Sequence, residues 1–138
     1  MDKMSKNDQP SILLVEDAED ISIMLKFLLS RQGYTIFHAK DGMEAQEMIG
    51  SINRSSVVVL DMILPYVKGL RLLADIRNKV SWQNVPVVMV TANGTTRDIV
   101  KAFELGANDY IVKPYKPMEL VMRVKRLAVS SLSTDIEG

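Results

Sequence analysis

Five residues, Val57-Val58-Val59-Leu60-Asp61, constrain the chain more than any other stretch. Four apolar residues, three of them β-branched, run without alternation into a carboxylate. A half-buried strand alternates apolar with polar. An unbroken run reads as a strand buried on both faces, as in a parallel sheet with helices on either side. Met62-Ile63-Leu64 comes next and ends at Pro65, so Asp61 stands where a buried strand gives way to a loop. In open α/β sheets ligands bind outside the carboxyl ends of the strands. A lone buried carboxylate is costly there unless a cation or hydrogen-bond donors accompany it.

The same pattern recurs along the chain. Ser11-Ile12-Leu13-Leu14-Val15 is a second unbroken run, and it too ends in acid, at Glu16-Asp17. Ile21, Met24, Leu25 and Leu28 then fall on one helix face, and Gly33 stops that helix. Thr35–Ala39 reads as a short strand with Asp41-Gly42 as its turn, and Ala45, Met48, Ile49 and Ile52 as the next helical stripe. Leu72, Leu73, Ile76 and Val80 mark a third helix. Val87–Val90 is a buried strand, opened by Pro86 and ending at Thr91-Ala92. Ile99, Val100 and Phe103 mark a short fourth helix, closed by Gly106. Asp109–Val112 is the last strand, followed by Lys113-Pro114, and Leu120, Val124, Leu127 and Ala128 stripe the final helix. Strict alternation of strand and helix specifies a parallel sheet covered on both faces, because the crossovers are right-handed. Residues 1–10 read as a flexible polar segment, 11–132 as the domain, and 133–138 as a flexible tail.

At 138 residues one domain is the simplest division, and the chain is long enough to bury a real core. Lys+Arg and Asp+Glu both number 17, so no global field argues for nucleic acid. The chain has no Cys, which excludes disulfides and thiolate metal sites. No apolar run approaches the roughly 20 residues needed to cross a bilayer, and the first residues lack the apolar core of a signal peptide. The expectation is a cytoplasmic protein with no membrane contact.

The polar residues at the strand ends decide the chemistry. The first strand delivers Glu16 and Asp17, the third Asp61, the fourth Thr91 and the fifth Lys113. In a parallel sheet all of these share one edge. Three carboxylates do not sit together ionised without a cation. Oxygen ligands without thiolate favour Mg2+ or Mn2+ over Zn2+. An ion and an ammonium beside a carboxylate placed as nucleophile outline a phosphoryl-transfer site. Singly, each residue has a plainer role. Asp17 caps a helix, Thr91 ends a strand and Lys113 is a solvated lysine. His38 lies mid-strand without such company and reads as structural. Trp82 reads as a packing anchor in a loop.

The chain resembles the receiver domain of two-component response regulators. The resemblance rests on Leu14-Val15-Glu16-Asp17, Leu60-Asp61 with Pro65 and Gly69, Val90-Thr91-Ala92, and Gly106-Ala107-Asn108-Asp109-Tyr110 running to Lys113-Pro114. It spans roughly Ser11 to Leu132. It implies a flavodoxin-like, doubly wound α/β fold with a five-stranded parallel sheet in the order 2-1-3-4-5 and helices on both faces. It implies Asp61 as phosphoacceptor for a histidine kinase or histidine phosphotransfer protein. Around Mg2+, with Mn2+ as a substitute, it implies Asp17 as direct ligand, Glu16 acting through water, Asp61, and the backbone carbonyl of Ile63. Thr91 and Lys113 would bind the phosphoryl oxygens, with Thr91 and Tyr110 as the switch pair and a cis Lys113-Pro114 bond. The family often has Asp where Glu16 stands. Ile63 occupies a position that influences hydrolysis in the family, and its apolar side chain cannot hold a water.

A Mg2+-dependent phosphohydrolase with an aspartate nucleophile is the alternative. It usually wants a general acid two residues after the nucleophile, where Ile63 stands. A nucleotide-binding domain wants a glycine-rich loop where Glu16-Asp17-Ala18 is acidic and glycine-free. The expectation is therefore a signalling module, stand-alone or excised from a longer protein. It is not an enzyme beyond its own phosphorylation and dephosphorylation. It presents the fourth helix, fifth strand and fifth helix to a downstream protein. With Ile99 and Asn108 at two positions of the family's ionic dimer set, a monomer or weak dimer is expected, with no direct nucleic-acid contact.

Overall fold

The structure, a computed structural model, describes residues 10–92 and 94–137, with residues 130–137 described by backbone alone. Residues 1–9 of the expected flexible segment 1–10, Asn93, and Gly138 lie outside the described residues. In chain order the elements are β1 (Ser11–Val15), α1 (Glu19–Ser30), β2 (Thr35–Ala39), α2 (Gly42–Ser51), β3 (Val57–Asp61), α3 (Gly69–Asn78), β4 (Val87–Thr91), α4 (Thr96–Glu104), β5 (Asp109–Val112) and α5 (Pro117–Glu137). The five strands form one parallel sheet in the order β2-β1-β3-β4-β5.

The unbroken apolar runs became strands buried along their whole length: β1, β3 and β4 have no exposed residue. Alternate side chains serve opposite faces. Leu13, Val58, Leu60, Val87 and Met89 join residues of α2 and α3 in one core cluster. Ile12, Leu14, Val57, Val59, Val88 and Val90 join Leu25 and Leu29 of α1 and Leu120, Val121 and Val124 of α5 in the other. Each Leu buried in this way contributes roughly 1.5–3 kcal/mol. Trp82 is fully buried, and its Nε1–H donates to the Ile52 carbonyl at 3.2 Å, so it anchors the loop before Pro86 as expected.

Several helix faces differ from the pattern the spacing implies. In α1 the buried residues are Ser22, Leu25 and Leu29, with Ile21, Met24 and Leu28 half-buried. The third helix ends at Asn78, so Val80 lies beyond it and is exposed. In α4 only Ala102 is buried, because a small side chain lets the helix lie close to the sheet. Val100 and Phe103, which mark this helix in the sequence, are exposed, and Ile99 is half-buried. The tail expected over 133–138 starts as helix: α5 runs to Glu137. Extending a formed helix costs far less than nucleating one, and no Gly or Pro interrupts residues 118–137.

Two loops fix the edge where the strands end. Asp41 caps α2 by accepting from the Glu44 N–H at 2.9 Å, so the expected turn doubles as a helix start. In the β3–α3 loop the Pro65 carbonyl accepts from Gly42 at 3.2 Å and Val67 at 2.9 Å. Tyr66 at the centre of that turn has φ +73, a conformation that strains an L side chain, and its ring is exposed. Gly69 packs so closely on the strand end that a Cβ there would lie 2.7 Å from the Met62 Cα.

Candidate functional site

The register brings the strand ends into line. Val15 pairs with Leu60, Asp61 with Val90, and Thr91 with Val112. The residues at or just past these pairs are Glu16, Asp61, Thr91 and Lys113. The Lys113 N–H donates to the Thr91 carbonyl at 2.7 Å, tying the end of β5 to the end of β4. The Lys113-Pro114 bond is cis, as the resemblance implied.

Asp61 and Glu16 are both 3% exposed, whereas Asp17 is open to solvent. Carboxylate oxygens of all three lie within 4.8 Å of one another. The Asp61 carboxylate is held at both oxygens. Oδ2 accepts from the Lys113 ammonium at 2.8 Å, and Oδ1 from the Ile63 N–H at 3.1 Å. Glu16 Oε2 accepts from the Ala18 N–H at 3.0 Å. Thr91, the last residue of β4, is buried as well. Ile63 lies in the loop past Asp61, with its side chain 70% exposed.

The electrostatics record the crowding. Burial raises the Glu16 pKa, and the charges of Asp61 and Asp17 push the same way against the Ala18 hydrogen bond and Lys113. Burial works against the Lys113 ammonium, but its hydrogen bond to Asp61 and the charges of Asp61 and Glu16 outweigh that and hold its pKa above the usual value. Three acids against one ammonium leave a deficit of positive charge. An all-oxygen donor set with one solvent-open member suits a hard divalent ion that keeps some of its water.

Two neighbours were not legible as members of this site. From the sequence His38 has no partner; in the structure its Nε2 lies 2.9 Å from the Glu16 carbonyl. A carbonyl only accepts, so Nε2 carries the proton, and His38 braces the backbone of the acid. Tyr115, two residues after Lys113, has a buried hydroxyl with no hydrogen-bond partner among the described residues. Its pKa is raised, first by burial and then by the charges of Glu16 and Asp61, with Lys113 opposing. No periodicity marks that residue. Only its place just past the lysine points to it. Beside it an apolar cleft of about 450 Å³ is lined by Ile21, Met24, Lys113, Pro114, Tyr115 and Pro117.

A doubly wound parallel sheet with three acids and a lysine at its carboxyl edge defines an α/β protein with a site able to hold a metal ion. The family profile of the response regulator receiver domain matches residues 12–125, and the chain belongs to that family. The transcriptional regulatory protein SrrA of Staphylococcus aureus is 38% identical over 126 residues, covering 91% of this chain and 51% of that protein. The chain thus spans about half the length of the curated relatives it matches. Among solved structures, the Francisella response regulator 1452 receiver domain superposes with a TM-score of 0.81 at 30% identity, covering 88% of this chain and 98% of that one. The Mn2+-bound form of response regulator Rcp1 superposes with a TM-score of 0.73 at 25% identity, covering 86% and 91%.

The chain is therefore a receiver domain of a two-component system, and Glu16, Asp17 and Asp61 form the acidic cluster typical of the phosphorylation site. A receiver is not a classical enzyme, and it implies a histidine kinase as partner. Among the described residues no helix is long and apolar enough to cross a membrane.

Proposed function

We propose that Asp61 accepts a phosphoryl group from the phosphohistidine of a histidine kinase or histidine phosphotransfer protein. The observation that carries this reading is the placement of its carboxylate: buried at the strand end, 2.8 Å from the Lys113 ammonium, with Glu16 and Asp17 alongside. An Asp61 oxygen attacks phosphorus, the P–N bond to the histidine breaks, and the imidazole leaves with the bonding pair. The product is an acyl phosphate. Asp17 and Asp61, the Ile63 carbonyl, and Glu16 through water would hold Mg2+ or Mn2+. When bound, that ion neutralises the acids and the charge on the transferring group. Lys113 moves its charge from the carboxylate to a phosphoryl oxygen, and Thr91 donates to another. The Mn2+ in the similar Rcp1 structure supports a divalent ion.

The signal then passes to α4, β5 and α5. Tyr110 is half-buried, and its ring meets Phe103 of α4 edge-on, with centroids 5.7 Å apart. Drawing Thr91 toward the phosphoryl group vacates space that the Tyr110 ring fills, because voids in packed interiors are costly. The altered face is read by a downstream protein. Four of its charged groups already pair within the chain: Asp109 with Arg123 at 2.8 Å and Arg126 at 3.2 Å, and Arg123 with Glu119 at 3.2 Å. Val100, Phe103, Met118 and Met122 are left exposed. That inventory favours a monomer or weak dimer with an apolar partner contact. The receiver fold occupies 11–132, acts in the cytoplasm, and touches no nucleic acid itself.

The test is intact mass after acetyl phosphate and Mg2+. The wild type gains a single phosphoryl group, and Asp61→Asn or EDTA abolishes the gain. An undiminished phospho-species in Asp61→Asn would refute the assignment. Amide hydrogen exchange with the phosphoryl mimic beryllofluoride tests the switch, with changes expected between Gly94 and Arg123. Changes confined to the Asp61 loop count against it.

A further inference from the structure

The α5 helix carries two stripes, and the body of the domain covers one of them. Leu120, Val121, Val124 and Ala128 are buried in the core cluster that α5 shares with α1. Met118, Met122 and Val129 are exposed, and so is Lys125 between them. These residues follow one another at intervals of four, three and four, and Leu132 and Ile136 continue the series by three and four. That is the heptad spacing of a helix-pairing seam, with Lys125 its one polar member. The ion-paired Glu119, Arg123 and Arg126 each follow a seam residue by one position, so they lie about 100° round the helix from it. The seam is therefore separate from the charged side of α5.

Ala128 is the last buried residue among those described, yet the backbone stays helical to Glu137. Past Ala128 the large apolar residues are Val129, Leu132 and Ile136, all of them on the seam spacing. Ser130, Ser131, Ser133 and Thr134 are weak helix formers, so packing of the stripe, rather than propensity, is what would hold this extension. Charge along the helix says what packs there. Arg123, Lys125 and Arg126 make one end of the segment basic, and Asp135 and Glu137 make the other acidic. A second α5 running the same way would set Lys125 against its own copy. One running the opposite way sets the basic end of each helix against the acidic end of the other.

We propose that α5 is a self-association element whose outer seam pairs antiparallel with the α5 of a second copy. The twofold axis passes between residues 130 and 131. Val129 of each copy then meets Leu132 of the other, and Lys125 meets Ile136. The Lys125 stem covers the isoleucine while its ammonium reaches the acidic end at Asp135. Such an interface is isologous, so each contact occurs twice. Its overlap, residues 125–136, is about 18 Å of helix, which makes the dimer a weak one. The inference goes beyond the phosphoacceptor reading and does not depend on it.

Sedimentation equilibrium of the unphosphorylated protein tests the association. The weight-average mass of the wild type should rise with concentration from that of one chain toward that of two. Leu132→Gln, placed beyond the last buried residue so that the domain still folds, should stay monomeric with an unchanged melt. Lys125→Glu should weaken the dimer about three- to tenfold, since each ion pair occurs twice, and adding Asp135→Lys should restore it. Orientation is read by cross-linking, because the chain has no cysteine of its own. Lys125→Cys mixed with Ile136→Cys should give a mixed disulfide, whereas Lys125→Cys alone should not couple, its two copies lying about 16 Å apart along the axis. A wild type that stays monomeric to about 1 mM overturns the inference and leaves the seam to a different protein. A dimer that Leu132→Gln leaves intact uses another surface and overturns it too. Ready coupling of Lys125→Cys to itself would mean parallel helices and refute the antiparallel register.

Discussion

Arg77, at the end of α3, fastens two distant loops, and removing its guanidinium should cost more than any other substitution of a charged residue away from the acids. Its Nη1 donates to the Val85 carbonyl at 2.7 Å and the Gln83 carbonyl at 3.2 Å. Nε and Nη2 both donate to the Gly106 carbonyl, at 3.1 and 2.7 Å, and Nη2 also to Asn108 Oδ1 at 2.8 Å. Asn108 Oδ1 keeps a second donor, the Val87 N–H at 2.8 Å. Val85 and Gly106 depend on the guanidinium. Burial lowers the Arg77 pKa, yet the group stays charged at any working pH. Each charge-assisted bond is worth roughly 1.5–3 kcal/mol in full, and partial access to water favours the low end. Two such carbonyls put the cost of Arg77→Met at about 3 kcal/mol, a large share of the roughly 5–15 kcal/mol that holds a domain together. At about 3–5 °C per kcal/mol for a chain of this size, Tm should fall by about 10 °C. Thermal melts by circular dichroism in EDTA read this directly. Arg77→Lys should recover less than half, since one ammonium cannot span Val85 and Gly106. A loss below about 1 kcal/mol for Arg77→Met, or full recovery by Lys, would refute the two-loop clamp.

Glu16→Gln should stabilise the metal-free protein by on the order of 1 kcal/mol. That is what remains of the cost of burying the charge, together with a repulsion of about 3 kcal/mol per close acid pair, once the Ala18 hydrogen bond and Lys113 oppose them. Its folded pKa lies above the ordinary 4.5, so wild-type stability falls as pH rises from 4.5 through the folded value. Urea midpoints against pH in EDTA should show that slope flatten in Glu16→Gln, and an unchanged slope would mean the acid is not strained. Ile63→Asn should shorten the phosphoryl half-life severalfold, because the exposed apolar side chain cannot align a water and an amide can. Acid-quenched time courses of labelled protein measure it, and equal decay clears Ile63 of that role.

Where the chain is apolar on consecutive positions, sequence told the structure well. β1, β3 and β4 need nothing but unbroken runs bounded by acids, Pro and Thr, and the acids at their ends then share one edge by topology alone. Helical periodicity is weaker evidence, because a stripe names a direction and not a depth. In α4 the stripe of Ile99, Val100 and Phe103 stays half-buried or exposed, and Ala102 is the residue that is buried. Val80 continues the spacing of α3 after the helix has stopped at Asn78. Arg77 was invisible because its partners lie 6 to 31 positions away and are mostly backbone carbonyls, which have no letter in the sequence. The brace between His38 and Glu16 escaped for the same reason. Tyr66 at φ +73 shows nothing in composition, since the strain belongs to the turn.

The strand order has a consequence for how the molecule is made. Every strand pairing in the sheet is parallel, so none closes through a local hairpin, and β5 sits at the far edge beside β4 alone. A ribosome delivers the chain from its amino end. Glu16, Asp17 and Asp61 therefore emerge, and can collapse onto a partial sheet, before Lys113 exists. The acids spend that interval without their ammonium. Docking of β5 completes the sheet edge and brings the one ammonium that faces the three acids. A chain halted before β5 thus holds three acids without the ammonium that pairs with Asp61, and the last strand of the sheet to be synthesised is the one that completes the site.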